Sequence, residues 1–319
     1  MRDGNGMPEV EILMAGAYPE WDMVDLEANY RIHRLWEAAD RHELISSVGK
    51  DIRAIATRGE LGASAELMAQ LPKLEIVSCY GVGTDAIDLS YARANGIRVT
   101  NTPDVLTEDV ADIAIGLLLA TARQVPQADV LVRSGQWGSV AMPLVTRVSG
   151  KKVGIAGMGR IGKAIAKRAA AFGCDISYFA RHDHADVAYA YEPDLIALAD
   201  WADFLIVIVP GGEATMKIIN AEVLKALGPN GILINVSRGT TVDEEALIAA
   251  LQHRIIQAAG LDVFLNEPRI DARFLTLQNV VLQPHHGSGT VETRKAMGQL
   301  VRDNLAAHFA GSPLPTPVV

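Results

Sequence analysis

The sequence predicts an α/β fold with two doubly wound parallel-sheet domains. Short β-branched apolar runs alternate with helical patterns along the first third of the chain, which is the βαβ rhythm of a parallel sheet. A second series of strand-like runs follows and is apolar throughout, as expected of strands buried on both faces. With 319 residues, of which 49% are hydrophobic and 21% charged, the chain is long enough for two domains with cores of their own.

The first series comprises four strands and is followed by one long helix. The predicted strands are VEILMA (10–15), AIAT (54–57), LEIVSC (74–79) and IRVTN (97–101). The helix extends from about Glu108 to Ser134, with Thr107 as its N-cap. Its apolar run, IAIGLLLATA, lies between charged residues and is too short to cross a bilayer. We therefore expect a buried helix and no association with membranes.

The second series comprises six strands joined by ordinary helices. Its members are KVGIAGMG (152–159), ISYFA (176–180), FLIVIVP (204–210), GILINVS (231–237), AAGLDVF (258–264) and NVVLQP (279–284). Internal repeats, low-complexity segments and Gly/Ser linkers are absent from the sequence. The two predicted domains are thus connected by structured chain.

Charge and cysteine content exclude several classes of function. The formal net charge of −9, from 38 acidic and 29 basic residues, repels nucleic acids and anionic lipid surfaces. The only cysteines, Cys79 and Cys174, lie far apart in apolar settings and are predicted to be buried thiols. Near the N-terminus, Asp3, Glu9 and Glu11 occupy places where a signal peptide has a basic patch and an apolar core. We expect a reduced, cytoplasmic protein without a metal site.

The first strand of the second series runs into GMGRIG, Gly157 to Gly162, and a helical pattern follows. This is the G-x-G-x-x-G pattern in the strand-turn-helix context that dinucleotide binding requires. The first glycine permits the tight turn, the second lets a pyrophosphate approach the backbone, and the third lets the helix lie close to its strand. The phosphates would then face the positive end of the helix. The alternative is a tight turn that binds no ligand, but the strand-turn-helix context favours a nucleotide site.

The end of the next strand indicates which dinucleotide binds. An Asp or Glu about 20 residues after the glycines accepts a hydrogen bond from the ribose 2′-hydroxyl of NAD. This strand ends instead in Ala180, Arg181 and His182, and an arginine there matches the 2′-phosphate of NADP. We therefore predict NADPH over NADH, with Arg181 as the main determinant. Alternatively, Arg181 is a solvated surface residue, and Asp183 or Asp186 supplies the missing acid.

The carboxyl ends of the last three strands carry candidate catalytic residues. Arg238 follows GILINVS, Asp262 lies in AAGLDVF with Glu267 just beyond it, and His285 follows NVVLQP. Each residue alone has an ordinary structural explanation, as a surface charge, a loop acid or a strand-terminal histidine. Ligands of open α/β sheets bind at these strand ends, however, so we expect the four to form one site.

The chain resembles the D-isomer-specific 2-hydroxyacid dehydrogenases over almost its whole length. The motifs that carry the resemblance are YGVGTDAIDL (80–89), NTPDVLTEDVADIAIGLLL (101–119), VGIAGMGRIG (153–162), NVSRG (235–239), GLDVF (260–264), NEP (266–268) and PHHGSGTVETR (284–294). Within the family, SGTVETR, the C-terminal NLAAHFAGSPLPTPVV and the strand ending in Arg181 are most similar to the glyoxylate and hydroxypyruvate reductases, including the plant hydroxyphenylpyruvate reductases.

The resemblance implies a discontinuous domain organisation. Residues 1–101 and 288–319 would form a flavodoxin-like substrate-binding domain, and residues 102–287 a Rossmann domain for NAD(P) inserted into it. It also implies a homodimer, in which Trp137 and Met142 reach the active site of a partner subunit. A core position for both side chains is the alternative.

The resemblance also implies how the catalytic residues act on a 2-oxo acid. His285, directly after the proline, donates a proton to the developing alkoxide, while His286 packs or faces solvent because consecutive residues of an extended chain point to opposite sides. Glu267 accepts a hydrogen bond from the imidazole and favours its protonated form. Arg238 binds the substrate carboxylate and polarises its carbonyl. The backbone N–H groups of Val82 and Gly83 also bind the carboxylate.

The family pattern assigns further residues to the coenzyme. Asp262 would orient the nicotinamide carboxamide, and Thr107 would contact the cofactor at the start of the long helix. After the third strand of the second series, Gly212 replaces a threonine common in relatives, so Thr215 is chosen for the contact there. The full set of predicted coenzyme contacts is Thr107, Gly157, Met158, Gly159, Arg160, Ile161, Gly162, Arg181, Val209, Pro210, Thr215, Val236, Ser237, Arg238, Asp262 and Gly287.

The expected activity is NADPH-dependent reduction of small 2-oxo acids such as glyoxylate and hydroxypyruvate. One alternative is a member of the same family that acts on a bulkier acid such as phenylpyruvate. Another class is a nucleotide-sensing regulator like the C-terminal binding proteins, transcriptional corepressors that retain the catalytic residues. The absence of low-complexity segments for partner recruitment favours an enzyme.

Overall fold

A computed structural model describes residues 10 to 319 of the chain. Asp3 and Glu9, on which the expectation against export partly depends, lie outside the described residues. The fold separates into two compact units, one formed by the described residues up to Leu106 together with Gly289–Val319, the other by Thr107–Ser288. These boundaries lie at 106 and 289, whereas the sequence places them at 101 and 288.

The first unit contains a five-stranded parallel sheet in the order β2-β1-β3-β4-β5. This 2-1-3-4-5 order is that of flavodoxin-like folds. Its strands are β1 Glu11–Met14, β2 Arg31–Arg34, β3 Ile52–Arg58, β4 Ile76–Tyr80 and β5 Arg98–Thr100. Its helices are α1 Glu20–Asn29, α2 Arg41–Val48, α3 Ala65–Ala69, α4 Leu89–Ala94 and the C-terminal α11 Val291–Phe309.

The second unit contains a seven-stranded parallel sheet in the order β12-β11-β10-β9-β6-β7-β8. Its strands are β6 Lys152–Ala156, β7 Asp175–Phe179, β8 Ala190–Tyr191, β9 Phe204–Val207, β10 Ile232–Asn235, β11 Ala258–Leu261 and β12 Val280–Leu282. Its helices are α5 Thr107–Arg123, α6 Val125–Arg133, α7 Arg160–Ala171, α8 Leu195–Trp201, α9 Ala221–Leu227 and α10 Glu244–Gln252. The strand order reverses between β6 and β9, which is where ligands bind in such sheets.

The predicted fold class is confirmed, and each sheet has one strand more than the sequence indicated. β2 has the sequence RIHR and is partly exposed at the sheet edge, so it lacks an apolar run. β8 consists of only two residues, also at an edge. Edge strands pack on fewer neighbours than central strands and carry a weaker hydrophobic signal for that reason.

The prediction of one long helix from Glu108 to Ser134 is wrong. α5 ends at Arg123, Gln124 adopts a left-handed conformation with φ of 52°, and α6 then begins with Pro126 in its first turn. A continuous helix would place the ring of Pro126 against the carbonyl of Ala122 and leave that carbonyl without its helical donor. Thr107 is the first residue of α5 and not its N-cap.

Burial agrees with the expected roles of most apolar segments. The run within α5 is largely buried, and no helix among residues 10–319 is both long and apolar enough to span a membrane. Neither cysteine forms a disulfide, but only Cys79 is fully buried, while Cys174 near the start of β7 is partly accessible. The prediction of two buried thiols is therefore correct for Cys79 alone.

Candidate active site

Three neighbouring strands of the second sheet bring polar residues to one edge. β10, β11 and β12 are adjacent and parallel, so their carboxyl ends coincide. Arg238, Asp262 and His285 follow these three strands within three residues. The sheet thus brings the strand-end residues predicted from the sequence to the same edge.

His285 and Glu267 form a hydrogen-bonded pair. Nδ1 of His285 lies 2.6 Å from Oε2 of Glu267, and both side chains are partly buried. The other carboxylate oxygen, Oε1, accepts a hydrogen bond of 2.8 Å from the backbone N–H of Phe264. This leaves Nε2 of His285 as the ring nitrogen that faces away from the carboxylate. The pair has the arrangement of a general acid whose orientation is set by a carboxylate.

The surroundings of Glu267 favour its ionised form. Burial alone would raise the pKa of Glu267, but the hydrogen bond and charge of His285, the N–H of Phe264 and the charge of Arg238 together lower it below its ordinary value. Arg238 is thus close enough to Glu267 to act on it electrostatically. A carboxylate that stays ionised at neutral pH in turn stabilises the protonated imidazole beside it.

The backbone at His285 is in a strained conformation. His285 has a φ of 52°, in the left-handed region that non-glycine residues rarely adopt, and its N–H donates to the Asp262 carbonyl over 2.8 Å. The explanation that an extended chain separates His285 from His286 is therefore wrong. The chain turns at His285 instead, and His286 is exposed whereas His285 is partly buried. Strain of this kind is concentrated at functional sites.

The carboxylate of Asp262 stabilises this turn. Its two oxygens accept hydrogen bonds from the backbone N–H groups of His286, at 2.7 Å, and Gly287, at 2.9 Å. Burial raises the pKa of Asp262 above its ordinary value, against the opposing effect of these donors and of His285. Asp262 therefore orients the histidine segment, a role that its sequence position did not indicate. Its predicted contact with a nicotinamide carboxamide stays a prediction.

Arg238 leaves β10 through a short loop that is closely packed. Its Nη1 donates to the carbonyl of Ser237 at 2.8 Å, and the guanidinium is partly buried. A Cβ at Gly239 would lie 2.0 Å from the carbonyl atoms of Phe264. Only glycine therefore allows the Arg238 loop to lie against the segment that leads to Glu267.

The three glycines of the GMGRIG turn have three different environments. Gly157 has a φ of 112°, and a Cβ there would lie 2.7 Å from the carbonyl oxygen of Ile208. A Cβ on Gly162 would lie 2.1 Å from the oxygen of Gly157, so helix α7 packs tightly on the turn. Gly159, the N-cap of α7, faces open space on the side where its Cβ would be. The glycine turn thus fits the pyrophosphate of a dinucleotide, because the open space at Gly159 lies beside the N-terminus of α7.

Several predicted coenzyme residues can contact a ligand only through their backbone. Met158, Val209 and Val236 have buried side chains that belong to the core of the second unit. Oγ1 of Thr215 donates to the carbonyl oxygen of Pro210 at 2.6 Å and so closes its own loop. The coenzyme roles of these residues and of Thr107, Arg160, Ile161 and Gly287 stay predictions.

The loop after β7 leaves Arg181 exposed and engages both candidate acids. The Tyr178 hydroxyl donates to Asp183 at 2.5 Å and accepts from the N–H of His184 at 2.8 Å. Asp186 forms an ion pair with Lys163 of α7, and this pair lowers the pKa of Asp186. These contacts weaken the alternative in which Asp183 or Asp186 accepts from a ribose hydroxyl.

The predicted substrate residues Val82 and Gly83 lie in the first unit, after β4. Nδ2 of Asn101 donates to the carbonyl of Val82 at 2.8 Å. Gly81 and Thr102 are joined by two hydrogen bonds, from the Gly81 N–H to Oγ1 of Thr102 at 3.0 Å and from the Thr102 N–H to the Gly81 carbonyl at 2.9 Å. Asn101 and Thr102 shape this turn; their sequence signal is the NTP motif that contains them, which did not by itself indicate this role.

Trp137 and Met142 lie in an irregular segment after α6. Trp137 is 75% exposed and does not belong to the core of its own chain, while Met142 is partly exposed. The alternative in which both residues are core side chains is therefore wrong for Trp137. No group of three or more His, Cys, Asp or Glu side chains within residues 10–319 is arranged to bind a metal ion.

Comparison with known proteins identifies a family and related enzymes. Residues 115–287 match the family described as D-isomer specific 2-hydroxyacid dehydrogenase, NAD binding domain. Glyoxylate/hydroxypyruvate reductase A of Arabidopsis thaliana is 49% identical over 313 residues, covering 98% of this chain and all of that protein. Hydroxyphenylpyruvate reductase of Plectranthus scutellarioides is 47% identical, with the same coverage.

A solved structure is similar to both units. It is the NADPH-dependent glyoxylate/hydroxypyruvate reductase of Sinorhizobium meliloti in complex with NADP and malonate. The two chains are 48% identical, the TM-score is 0.92, and the match covers 98% of this chain and 97% of the other.

Proposed function

We propose that this chain, which belongs to the D-isomer-specific 2-hydroxyacid dehydrogenase family, reduces small 2-oxo acids such as glyoxylate and hydroxypyruvate with NADPH. The observation that carries this proposal is the hydrogen-bonded pair of His285 and Glu267 beside Arg238. A proton donor next to a permanent cation is what reduction of an anionic carbonyl compound requires. The similarity to two reductases at 47% and 49% identity supports the substrate class.

The residues of the site divide the work between proton transfer and charge stabilisation. Bound NADPH supplies the hydride that adds to the carbonyl carbon. Nε2 of protonated His285 donates a proton to the oxygen that becomes the alkoxide, while Glu267 stabilises the imidazolium until the transfer. Arg238 binds the carboxylate and the carbonyl oxygen, where negative charge develops. Val82 and Gly83 contribute backbone N–H groups to the carboxylate.

NADPH is the preferred coenzyme because of the residues after β7. The strand has no terminal carboxylate, Arg181 is exposed, and Asp183 and Asp186 are engaged by Tyr178 and Lys163. The related Sinorhizobium enzyme is NADPH-dependent and was solved with NADP. An Arg181→Ala variant should therefore bind NADPH more weakly and NADH as before. An unchanged NADPH dissociation constant would contradict the role of Arg181.

The enzyme forms a homodimer through α6 and the segment that follows it. Val130, Val132, Trp137, Val140 and Leu144 are all exposed large apolar residues of this region. Clusters of exposed apolar residues along one segment are typical of protein interfaces. Sedimentation should show twice the mass of the chain, and Leu144→Asp should shift it toward the monomer. We also propose a cytoplasmic location, because neither Cys79 nor Cys174 forms a disulfide; cell fractionation would test this location.

A steady-state assay of the purified protein tests the proposed function. Loss of reduced-nicotinamide absorbance is followed with NADPH and with NADH against glyoxylate, hydroxypyruvate, pyruvate and phenylpyruvate. Fast turnover of glyoxylate or hydroxypyruvate with NADPH is the expected result. Binding of NADPH without turnover of any of these acids would overturn the assignment.

A second candidate substrate is a bulkier aromatic 2-oxo acid. The chain is 47% identical to a hydroxyphenylpyruvate reductase over 98% of its length, which is nearly the 49% identity that supports the small acids. The same assay decides, because a higher kcat/KM for phenylpyruvate than for glyoxylate would assign the bulkier class.

A further inference from the structure

Three buried polar side chains surround the backbone of Arg238. Asn235 at the end of β10 is 1% exposed, Ser237 4% and Thr241 0%. We call these three residues the Arg238 cradle. Buried polar side chains cost free energy unless they are hydrogen-bonded, so a cluster of three in the core needs partners.

The members of the cradle bond to one another. Oδ1 of Asn235 accepts from the backbone N–H of Ser237 at 3.1 Å and from its hydroxyl at 2.8 Å. The hydroxyl of Ser237 lies 2.9 Å from Oγ1 of Thr241. The three side chains therefore form one connected network, in which each position constrains the next.

The network converges on the carbonyl oxygen of Arg238. That oxygen accepts from Nδ2 of Asn235 at 3.1 Å, from Oγ1 of Thr241 at 2.7 Å and from the N–H of Thr241 at 3.2 Å. Three donors on one carbonyl fix the peptide plane that follows Arg238. They thereby hold the backbone at the Cα from which the Arg238 side chain leaves, while Nη1 of the guanidinium donates to the carbonyl of Ser237 at 2.8 Å.

The cradle is also connected to the histidine side of the site. The carbonyl of Asn235 accepts from the N–H of Asp262 at 3.0 Å, and Asp262 in turn binds the backbone of His285, His286 and Gly287. Asn235 therefore contacts both the arginine loop and the residue that orients the histidine loop.

We propose that the Arg238 cradle is a positioning device for the substrate-binding arginine, with Asn235 and Thr241 as its positioning residues. It sets the place of the guanidinium relative to the 2-oxo acid, and thus the rate of reduction of bound substrate. This inference rests on the proposed function, because it concerns the arginine that binds the 2-oxo acid there. None of the three residues needs to touch the substrate for this effect.

The test compares Thr241→Val with Thr241→Ser. Valine has nearly the shape of threonine but lacks the hydroxyl that donates to Arg238, whereas serine retains it. Since displacement of a catalytic group by about 1 Å can cost on the order of 100-fold, we expect Thr241→Val to lower kcat/KM for glyoxylate by about 10- to 100-fold. The NADPH dissociation constant and the pH profile should stay as in the wild type, and Thr241→Ser should recover most of the activity.

Thr241 ends a short 3₁₀ helix, Gly239–Thr241, and a matched control is available in a second one, Ala272–Thr276. Oγ1 of Thr276 donates to the carbonyl of Arg273 at 2.9 Å, the same threonine-to-arginine spacing as Thr241 to Arg238, on the protein surface. Thr276→Val should leave kcat/KM unchanged. If Thr241→Val lowers the melting temperature while kcat/KM of the folded protein equals that of the wild type, the cradle is merely structural and the inference is wrong.

A second variant covers the case in which Thr241→Val does not fold. Asn235→Asp keeps an acceptor for Ser237 but loses the donor to the Arg238 carbonyl, and should show the same loss of kcat/KM at unchanged NADPH affinity. Arg238→Gln separates the two levels of the argument. Full activity of Arg238→Gln would overturn the proposed function, whereas its inactivity together with fully active, folded cradle variants would overturn only the positioning role.

Discussion

At the scale of the residue, the contact between His285 and Glu267 controls the chemistry of the site. The distance of 2.6 Å between Nδ1 and Oε2 and the lowered pKa of Glu267 describe a carboxylate that stays charged beside an imidazole. The positive charge of Arg238 also lowers the pKa of this carboxylate. The ionisation of Glu267 thus depends on both His285 and Arg238, and single substitutions can separate the contributions of the three side chains.

Replacing each histidine separately should distinguish their roles. Because a positioned general acid contributes about 10²- to 10⁴-fold, His285→Ala should lower kcat for glyoxylate reduction by that factor. His286→Ala serves as the matched control, since the exposed His286 contributes a backbone N–H to Asp262 that alanine retains. Steady-state kinetics of both variants is the measurement. Loss of turnover in His286→Ala with retention in His285→Ala would reverse the assignment.

Removing the charge of Glu267 should shift the pH profile. The carboxylate favours protonated His285, so at a given pH Glu267→Gln has less of the acid form that reduction requires. The decline of kcat/KM at alkaline pH should therefore begin at lower pH than in the wild type. Profiles measured from about pH 6 to pH 9, where histidines titrate, would show the shift. Coincident profiles would mean that Glu267 does not control the proton donor.

The same lowered pKa affects stability. A carboxylate whose pKa is depressed on folding stabilises the folded state at pH values above its unfolded pKa of about 4.3, and this contribution is lost as pH falls through the folded value. Acid unfolding of the wild type should therefore include a component that Glu267→Gln lacks.

At the scale of the element, the turn between β6 and α7 determines how a dinucleotide could be bound. Gly162 allows α7 to pack on the turn, while Gly159 faces open space at the helix N-terminus. Arg168 of α7 donates to Asp112 at 2.6 Å and to Glu108 at 2.7 Å, so ion pairs attach the same helix to α5. The helix that would face the phosphates is thus fixed on two sides.

Alanine at the two glycines should separate folding from coenzyme binding. Because the Cβ of Gly162→Ala would overlap the Gly157 oxygen, overpacking should cost about 1–3 kcal/mol of stability. Gly159→Ala places its methyl in open space and should cost less than about 1 kcal/mol, mainly from the change at the N-cap. NADPH affinity should nevertheless fall in Gly159→Ala, because the methyl occupies the predicted pyrophosphate space. Thermal unfolding and NADPH titration test both variants, and normal NADPH affinity of Gly159→Ala would contradict that location.

At the scale of the whole molecule, the net charge opposes the ligands. A chain with a formal charge of −9 repels both an anionic substrate and a phosphorylated coenzyme. Binding therefore requires local positive charge, which Arg238, Arg181 and the N-terminus of α7 are predicted to supply. The extra negative charge of NADPH makes this requirement stricter than for NADH, so a preference for NADPH needs a local cation at the 2′-phosphate, the role predicted for Arg181.

Coenzyme binding should stabilise the folded protein according to this preference. A ligand present at about 100 times its dissociation constant adds about 2.7 kcal/mol to the free energy of unfolding. At equal concentration, NADPH should raise the melting temperature more than NADH does, and Arg181→Ala should reduce the difference. Equal shifts with the two coenzymes in the wild type would argue against selection by Arg181.

The sequence by itself determined the secondary-structure rhythm, the glycine turn and the catalytic candidates. The runs that form β6, β9 and β10 were predictable because central parallel strands are apolar on both faces. Arg238, Glu267 and His285 were predictable because each follows a recognisable strand or lies within a family motif. The family and the fold class were confirmed on this basis.

Only the tertiary structure decided how these parts are oriented. The left-handed turn at His285 depends on Asp262, which lies 24 residues from His286, and the direction of Arg238 depends on the cradle that surrounds its carbonyl. The end of α5 at Arg123, in contrast, follows from Pro126 and so from a constraint that is local in the sequence. Periodicity reports which face of an element is buried, but hydrogen bonds of buried polar groups depend on which elements become neighbours. For that physical reason the identities of the site residues were determined locally, whereas their geometry was determined by the fold.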